Sequence, residues 1–174
     1  ACIVVETIQG DGGLLEPVPG YFEALQKLCH AHNILIAVDD IQQGLGRTGK
    51  WSSVDHYHFT PDLMTFGKSL AGGLPMSALV GRKEIMESLE APAHLFTTGA
   101  NPVSCEAALA TLEMIEEEDL LTAATEKGNY VRQRMNQWMT QFESVGDVRG
   151  VGLSIGIDIV SDKEIKTRDS EAAF

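Results

Sequence analysis

The apolar run at residues 34–38, rich in β-branched side chains, passes directly into two acidic residues, Asp39 and Asp40. Its length and composition are typical of a strand that is buried on both faces, as in a parallel sheet. Ligands of open parallel sheets bind beyond the carboxyl ends of the strands. This run therefore predicts an α/β fold that carries acidic side chains to the edge where such sites form.

Strand and helix signals alternate through the first 80 residues. Residues 1–5 form a second β-rich apolar run, which also suits a strand buried on both faces. Pro19 is expected at the first position of an amphipathic helix that ends near Asn33. Two further short strands are predicted at 62–66 and 77–80. This order predicts a largely parallel sheet with Glu6, Asp39 and Lys68 at its carboxyl edge.

The second half of the chain is predicted to be mainly helical up to about residue 144, after which strand signals replace the helical ones. Asn101 followed by Pro102 indicates an N-cap and a first-turn proline of an Ala-rich helix. A longer helix with a one-sided apolar stripe is predicted from about Asp119. From Val145 onward, glycines alternate with β-branched residues, which indicates strands of a new unit.

The charge balance argues against several classes of partner. The chain has 25 acidic and 13 basic residues, a formal net charge of −12 and a pI near 4.7. Such a chain has no basic face, so neither nucleic acid nor a membrane is an expected partner. Cys2, Cys29 and Cys105 are widely spaced and lack metal-ligand spacing, so no disulfide framework or zinc site is expected and a cytoplasmic location fits best.

Residues 44–50 match the G-x-x-x-x-G-K spacing of a phosphate-binding P-loop. The match fails at Trp51, because a P-loop has Ser or Thr there to hold magnesium and then continues into a helix. A P-loop-like nucleotide binder is therefore only a remote alternative.

Three separated motifs carry a resemblance that covers essentially the whole chain. They resemble those of the class III pyridoxal-phosphate aminotransferases, the 4-aminobutyrate and ornithine type. The resemblance implies a fold-type I enzyme, in which 1–143 is the later part of the cofactor-binding large domain with its interdomain helix. Residues 144–174 would be the truncated start of a small α+β domain. The motifs lie at residues 39–49, 67–75 and 97–102.

The resemblance assigns the central chemistry to Lys68 and Asp39. A lysine at the position of Lys68 forms the Schiff base with the cofactor aldehyde and then moves the proton of the substrate Cα, which requires an amine that can lose its own proton. An aspartate at the position of Asp39 pairs with the pyridine nitrogen and keeps the ring an electron sink.

Four further residues receive roles by the same resemblance. Ile41 would pack on one face of the ring, with a plain core role as the alternative, and Gln42 would reach the phenolic oxygen. Thr97 would bind the cofactor phosphate of a neighbouring subunit, which implies a homodimer. Glu6 would pair with an arginine of the C-terminal domain and gate the substrates.

Two departures from the family pattern bear on function. The family usually has Glu at the position of Asp40. The aspartate would place a shorter side chain beside the cofactor. The phosphate-binding turn, the stacking aromatic residue and the carboxylate-binding arginine are not found in this chain. We therefore expect the 174-residue chain to be part of something larger and inactive alone.

The leading functional prediction is transfer of an amino group from an amino acid or ω-amine to a 2-oxo acid. The alternative is an amino-acid racemase or 2-epimerase that uses the same lysine, because residues 90–98 are similar to those of branched-chain 2-epimerases in this family. A non-catalytic dimerisation relic is a further alternative, which the presence of Asp39 and Lys68 argues against.

Overall fold

The computed structural model describes residues 1–93 and 96–173. In this part of the chain, two sheets are joined by a pair of helices. Short 3₁₀ helices at Ser53–His56 and Lys68–Ala71 connect strands of the first sheet. In chain order the elements are β1 (Cys2–Val5), α1 (Tyr21–Ala31), β2 (Leu35–Asp39), β3 (Leu63–Phe66), β4 (Ala78–Gly81), α2 (Lys83–Met86), α3 (Pro102–Glu117), α4 (Leu120–Gln141), β5 (Val145–Val151), β6 (Ser154–Asp162) and β7 (Thr167–Arg168).

The first sheet has the strand order β1-β2-β3-β4. The first three strands are parallel and β4 runs antiparallel to β3. Asp39 lies opposite Thr65 in the register of β2 and β3. The parallel strands therefore end at one edge, and the predicted α/β fold with a largely parallel sheet is confirmed.

Helix α1 covers one face of this sheet. Phe22 and Cys29 of α1 pack on Ile36 and Val38 of β2, and the ring of Phe22 stacks on that of Phe59 with centroids 4.4 Å apart. The helix begins at Tyr21, after Gly20 in a left-handed conformation, and not at Pro19 as predicted. A left-handed N-cap residue favours glycine, so the chain turns into the helix two residues later.

Strand β1 differs from its prediction. It is the edge strand of the sheet, and Val4 is 70% exposed. Ile3 and Val5 pack against the α1 side, whereas Val4 points to the opposite face because side chains alternate along a strand. The prediction that this strand is buried on both faces is therefore wrong for the described chain.

Helices α3 and α4 follow the sequence signals closely. The Asn101 side chain accepts a hydrogen bond from the Val103 N–H at 2.9 Å, and Pro102 is the first residue of α3, so both predictions are confirmed. Helix α4 begins directly after Asp119. No helix in the described ranges is long and apolar enough to span a bilayer.

The second sheet is a three-stranded antiparallel sheet of β5, β6 and β7 that begins at Val145 as expected. Helix α4 packs against the turn between β5 and β6. A Cβ on Gly128 would lie 1.9 Å from the carbonyl oxygen of Gly152, so the helix and the turn approach as closely as two backbones can. We propose the domain boundary between residues 143 and 144 on this change of architecture.

Candidate active site

An amine and an amide meet where β2 and β3 end. The Lys68 Nζ donates a hydrogen bond to the Gln42 Oε1 at 3.0 Å. A lysine ammonium has donors only, so the amide oxygen faces it and the amide NH₂ of Gln42 stays available as a donor. The pair thus presents one amine and one hydrogen-bond donor at the carboxyl edge of the sheet.

The backbone at Lys68 holds an unusual conformation. Its φ of 47° lies in the left-handed region, which non-glycine residues adopt uncommonly and often at functional sites. Before it, a Cβ on Gly67 would lie 3.4 Å from Ile41 Cγ2, so the glycine packs on Ile41. After it, Leu70 is 7% exposed and anchors the 3₁₀ helix in the interior. The exposed Lys68 amine is therefore carried on a fixed backbone.

Asp39 is oriented by its neighbours. Its Oδ1 accepts the Ile41 N–H at 3.1 Å and makes a long contact of 3.5 Å with the Thr65 hydroxyl. Among the residues that the structure describes, no donor reaches the Oδ2 of this half-buried carboxylate. Asp39 therefore offers one fixed oxygen and one free acceptor at the end of β2.

Asp40 behaves in the opposite way. It is 1% exposed, and its carboxylate accepts the Ser53 N–H at 3.1 Å and the Ser53 hydroxyl, which is also hydrogen-bonded to the hydroxyl of Thr7. The sequence analysis expects Asp40 beside a cofactor, whereas the structure buries its carboxylate against Ser53. This carboxylate is turned inward because it satisfies buried backbone and hydroxyl donors, and so it stabilises the fold.

A cavity of about 650 Å³ lies beside the lysine. Ile41, Gln42 and Lys68 line one side, and residues of α4 and of the β5–β6 turn, among them Lys127 and Leu153, line the other. This volume lies within the range of small-molecule sites. Three of the six predicted site residues thus share one cavity, and Asp39 is tied to its edge by the hydrogen bond to Ile41.

Glu6 and Thr97 lie elsewhere. The Glu6 Oε2 accepts the Gly10 N–H at 2.7 Å, and Glu6 lines a separate cavity of about 530 Å³ together with Tyr21. Thr97 is exposed in the turn before α3 and lines neither cavity within the described ranges. Their roles stay predictions. The segment 90–98, compared above with 2-epimerases, includes His94 and Leu95, which lie outside the described residues.

Most backbone amides of residues 44–50 are already engaged in hydrogen bonds. The N–H groups of Leu45, Gly46 and Gly49 donate to carbonyls of Trp51, Lys50 and Gly46 at 2.8, 3.1 and 2.9 Å. A P-loop needs such amides free and pointing at the phosphates. In addition, Thr48 is 2% exposed and no helix follows directly. The structure therefore argues against the nucleotide-binding alternative.

Sequence reasoning missed the residues that surround the Gln42 amide. Gly10 packs directly on it, and Arg149 holds the segment that carries Gly10. The glycine run at residues 10–13 signals a turn but not its neighbour. No local signal identifies Arg149, because its contact joins residues 136 positions apart.

Comparisons with known proteins identify the family of the chain. The family model "Aminotransferase class-III" matches residues 1–173. The chain is 49% identical over 174 residues to an isoleucine 2-epimerase of Lentilactobacillus buchneri, covering 99% of this chain and 39% of that protein. It is 38% identical to a probable 4-aminobutyrate aminotransferase of Bacillus subtilis over 174 residues, covering 99% of this chain and 40% of that protein.

A solved structure agrees as well. An amine transaminase from an uncultivated Pseudomonas species, in its PLP-bound form, superposes with a TM-score of 0.92 at 31% identity, covering 99% of this chain and 41% of that chain. Pyridoxal phosphate, the cofactor predicted from sequence, is thereby confirmed at the level of the family. The chain spans about two fifths of the length of the curated relatives it matches. It belongs to the class III aminotransferase family.

Proposed function

We propose that the whole protein is a pyridoxal-phosphate-dependent amino-acid racemase or 2-epimerase in which Lys68 moves the proton of the substrate Cα. The observation that carries the proposal is the Lys68 amine, held by Gln42 beside a cavity of about 650 Å³. An amine at a fixed position is what a general base at carbon requires.

The residues present fit pyridoxal phosphate by their chemistry. The free Oδ2 of Asp39 can accept from a protonated ring nitrogen, the NH₂ of Gln42 can donate to a phenolic oxygen, and Ile41 offers an apolar surface for a ring. Lys68 supplies the amine for an aldehyde. When bound, the cofactor supplies an electron-accepting ring that stabilises the negative charge left at Cα when the proton is removed.

Lys68 would remove the Cα proton in both candidate reactions, which differ in where a proton is delivered next. In racemisation a second proton donor would protonate Cα on the face opposite Lys68, because an amine fixed on one face can return the proton only to that face. In amino transfer Lys68 would deliver the proton to the cofactor carbon that carried the aldehyde instead of to Cα. Gln42 contributes by holding the Lys68 amine at one position beside Cα.

The relatives favour epimerisation over transfer. The 49% identity to a protein called an isoleucine 2-epimerase exceeds the 38% identity to a probable 4-aminobutyrate aminotransferase. We therefore place epimerisation first, with a branched aliphatic amino acid as the proposed substrate. Amino transfer to a 2-oxo acid, the leading prediction from sequence, is the second candidate, supported by the family model.

The assembly and location follow the same proposal. The exposed Thr97 would bind the cofactor phosphate of a neighbouring subunit, so the whole protein is proposed to be a homodimer. Glu6, which already accepts the Gly10 N–H, would face the substrate side of that site and gate the substrates. A cytoplasmic location fits the acidic, cysteine-poor composition.

The test is a reaction of the whole protein with pyridoxal phosphate and L-isoleucine in deuterated water. Epimerisation predicts deuterium at Cα together with the 2-epimer on a chiral column and no equivalent release of oxo acid. With 2-oxoglutarate added, oxo acid formed in step with glutamate, without the 2-epimer, would establish amino transfer instead. Absence of both products and of deuterium incorporation would contradict both candidates for this substrate class.

A further inference from the structure

We propose that residues 9–15, the 9–15 hairpin, are a positioning element that sets the hydrogen bond between Gln42 and Lys68. The catalytic meaning of this element rests on the function proposed above, whereas the contacts themselves do not.

The 9–15 hairpin is closed by its own backbone. Gln9 and Leu15 exchange two hydrogen bonds, N–H to carbonyl, of 3.0 and 3.2 Å. Inside them, the N–H groups of Gly13 and Leu14 both donate to the Gly10 carbonyl at 3.0 and 3.2 Å. These four bonds fix the path of the backbone, so Gly10 is held at a defined place.

Gly10 packs on the amide that receives the lysine. A Cβ at Gly10 would lie 2.3 Å from the Gln42 Oε1 and 2.6 Å from its Cδ. Real Cβ atoms essentially never approach so closely, so any other residue at position 10 would push the amide away. The oxygen that would be displaced is the same one that accepts the Lys68 Nζ.

The other end of the 9–15 hairpin is tied to the second sheet. The Arg149 Nε donates to the Gly13 carbonyl at 2.7 Å. The same guanidinium pairs with Asp147 and Asp158 at 2.8 Å each, and its side chain is only 15% exposed. The hydrogen bond that Arg149 donates to Asp158, and then the one that it donates to Asp147, raise the pKa of Arg149. A guanidinium fixed by two carboxylates thus holds the hairpin tip.

A continuous series of contacts connects β5 and β6 to the Lys68 amine. Arg149 holds Gly13, the hairpin backbone connects Gly13 to Gly10, and Gly10 holds the Gln42 amide against Lys68. Moving Gln42 would release the Lys68 amine from its acceptor. An ammonium that loses its acceptor is less stabilised, so the amine should react faster with an added electrophile.

The experiment measures this reactivity in the whole protein freed of bound cofactor. Reductive methylation is followed at Lys68 by peptide mass mapping in the wild type, Gly10→Ala, Gln42→Ala and the double variant. Gly10→Ala should raise the Lys68 labelling rate by roughly three- to tenfold, as Gln42→Ala does. The double variant should add nothing further, because both changes remove one interaction.

The matched control is Gly12→Ala in the same hairpin. Its Cβ would meet the exposed Gln9 side chain, with 2.7 Å to Oε1, and should leave the Lys68 rate unchanged. Arg149→Gln should raise the Lys68 labelling rate by a smaller factor than Gly10→Ala, since it removes only the hydrogen bond that holds Gly13 at the tip of the 9–15 hairpin. It also serves as the second variant if Gly10→Ala does not fold by circular dichroism.

Two results would overturn the proposal. The first is a wild-type rate of Lys68 labelling in both Gly10→Ala and Arg149→Gln. The second is a Gly10→Ala substitution that raises the Lys68 labelling rate as much in the Gln42→Ala background as in the wild type. Because the labelling reaction needs no cofactor, its outcome tests the positioning element independently of the proposed function. In the loaded protein, Gly10→Ala and Gln42→Ala should shift the pH profile of Cα exchange in the same direction. Opposite shifts would also contradict the proposal.

Discussion

Two neighbouring segments at the carboxyl end of β2, residues 39–42 and residues 44–50, are opposite in construction. In residues 39–42, Asp39 and Gln42 keep polar atoms available, although Asp40 is turned inward: the Oδ2 of Asp39 meets no donor among the described residues, and the Gln42 amide faces the Lys68 amine. In residues 44–50, three backbone amides are satisfied inside the loop. The first segment keeps polar atoms that a ligand could contact, whereas most backbone amides of the second are already hydrogen-bonded.

The second segment joins parts of the fold. A Cβ on Gly152 would lie 2.4 Å from the carbonyl carbon of Thr48, and the Leu153 N–H donates to the Arg47 carbonyl at 3.0 Å. The loop is thus wedged against the β5–β6 turn. The comparison shows that glycine spacing alone does not identify a phosphate site, because what matters is whether the amides are free.

The largest expected effect separates two lysines. Lys68→Ala should lower the rate of Cα proton exchange by roughly a thousandfold or more, because the base is removed. Lys50→Ala, at the end of the glycine-rich loop, should leave the rate within about twofold of wild type, since surface substitutions are usually mild. Exchange of Cα deuterium by mass spectrometry checks both. Equal losses would mean that the loop takes part in the chemistry.

The two neighbouring aspartates should separate function from stability. Asp40→Ala removes the acceptor of the buried Ser53 donors and should lower the free energy of unfolding by about 3 kcal/mol. Asp39→Ala should cost at most about 1 kcal/mol but weaken cofactor binding. Urea unfolding measures the change in stability, and a cofactor titration measures the change in cofactor affinity. A stable Asp40→Ala variant that loses the cofactor would reverse the assignment.

Gly128→Ala tests the close approach of α4 to the β5–β6 turn. Because its Cβ would lie 1.9 Å from the Gly152 carbonyl oxygen, we expect a loss of about 2–3 kcal/mol despite the better helix propensity of alanine. Glu126→Ala, exposed on the same helix, is the control and should be neutral. Thermal unfolding would compare them, and a stabilised Gly128→Ala variant would mean that the helix does not press on the turn.

The smallest effect concerns His56, which lies near the glycine-rich loop. Burial, and then the charge of Lys50, lower the pKa of His56 from its ordinary value of 6.5. Between the lowered pKa and 6.5 the unfolded chain binds more protons than the folded one, so stability falls as the pH drops through this window and is flat above it.

The measurement is urea unfolding at about pH 7.5 and about pH 5.5. His56→Gln should show a slightly smaller acid loss than the wild type, since the titrating group is gone. His58→Gln, at an exposed position two residues later, should keep the wild-type loss. An unchanged acid loss in His56→Gln would show that other groups account for it.

Local features were predictable from sequence. The buried strand at 34–38, the Asn101 cap and the onset of the second sheet at Val145 each depend on residues close together in the chain. The sequence also predicted that Asp39 and Lys68 lie at the common carboxyl edge of the parallel strands, but it did not predict the hydrogen bond between Lys68 and Gln42.

Other features depend on how distant segments approach. The different roles of Asp39 and Asp40 depend on Ser53, which lies 13 residues after Asp40 and supplies it with buried hydrogen-bond donors. Likewise, the contact of Gly10 with Gln42 and that of Arg149 with Gly13 join elements far apart in sequence. No periodicity or motif encodes such contacts, because they arise from tertiary packing.

We propose above that Lys68 is the residue that binds pyridoxal phosphate. Borohydride reduction of the whole protein incubated with the cofactor, followed by peptide mapping of the adduct, tests this directly. We expect a reduced adduct on Lys68 that is absent from Lys68→Ala. An adduct on Lys50 or Lys127 with Lys68 unmodified, or no adduct at all, would contradict it.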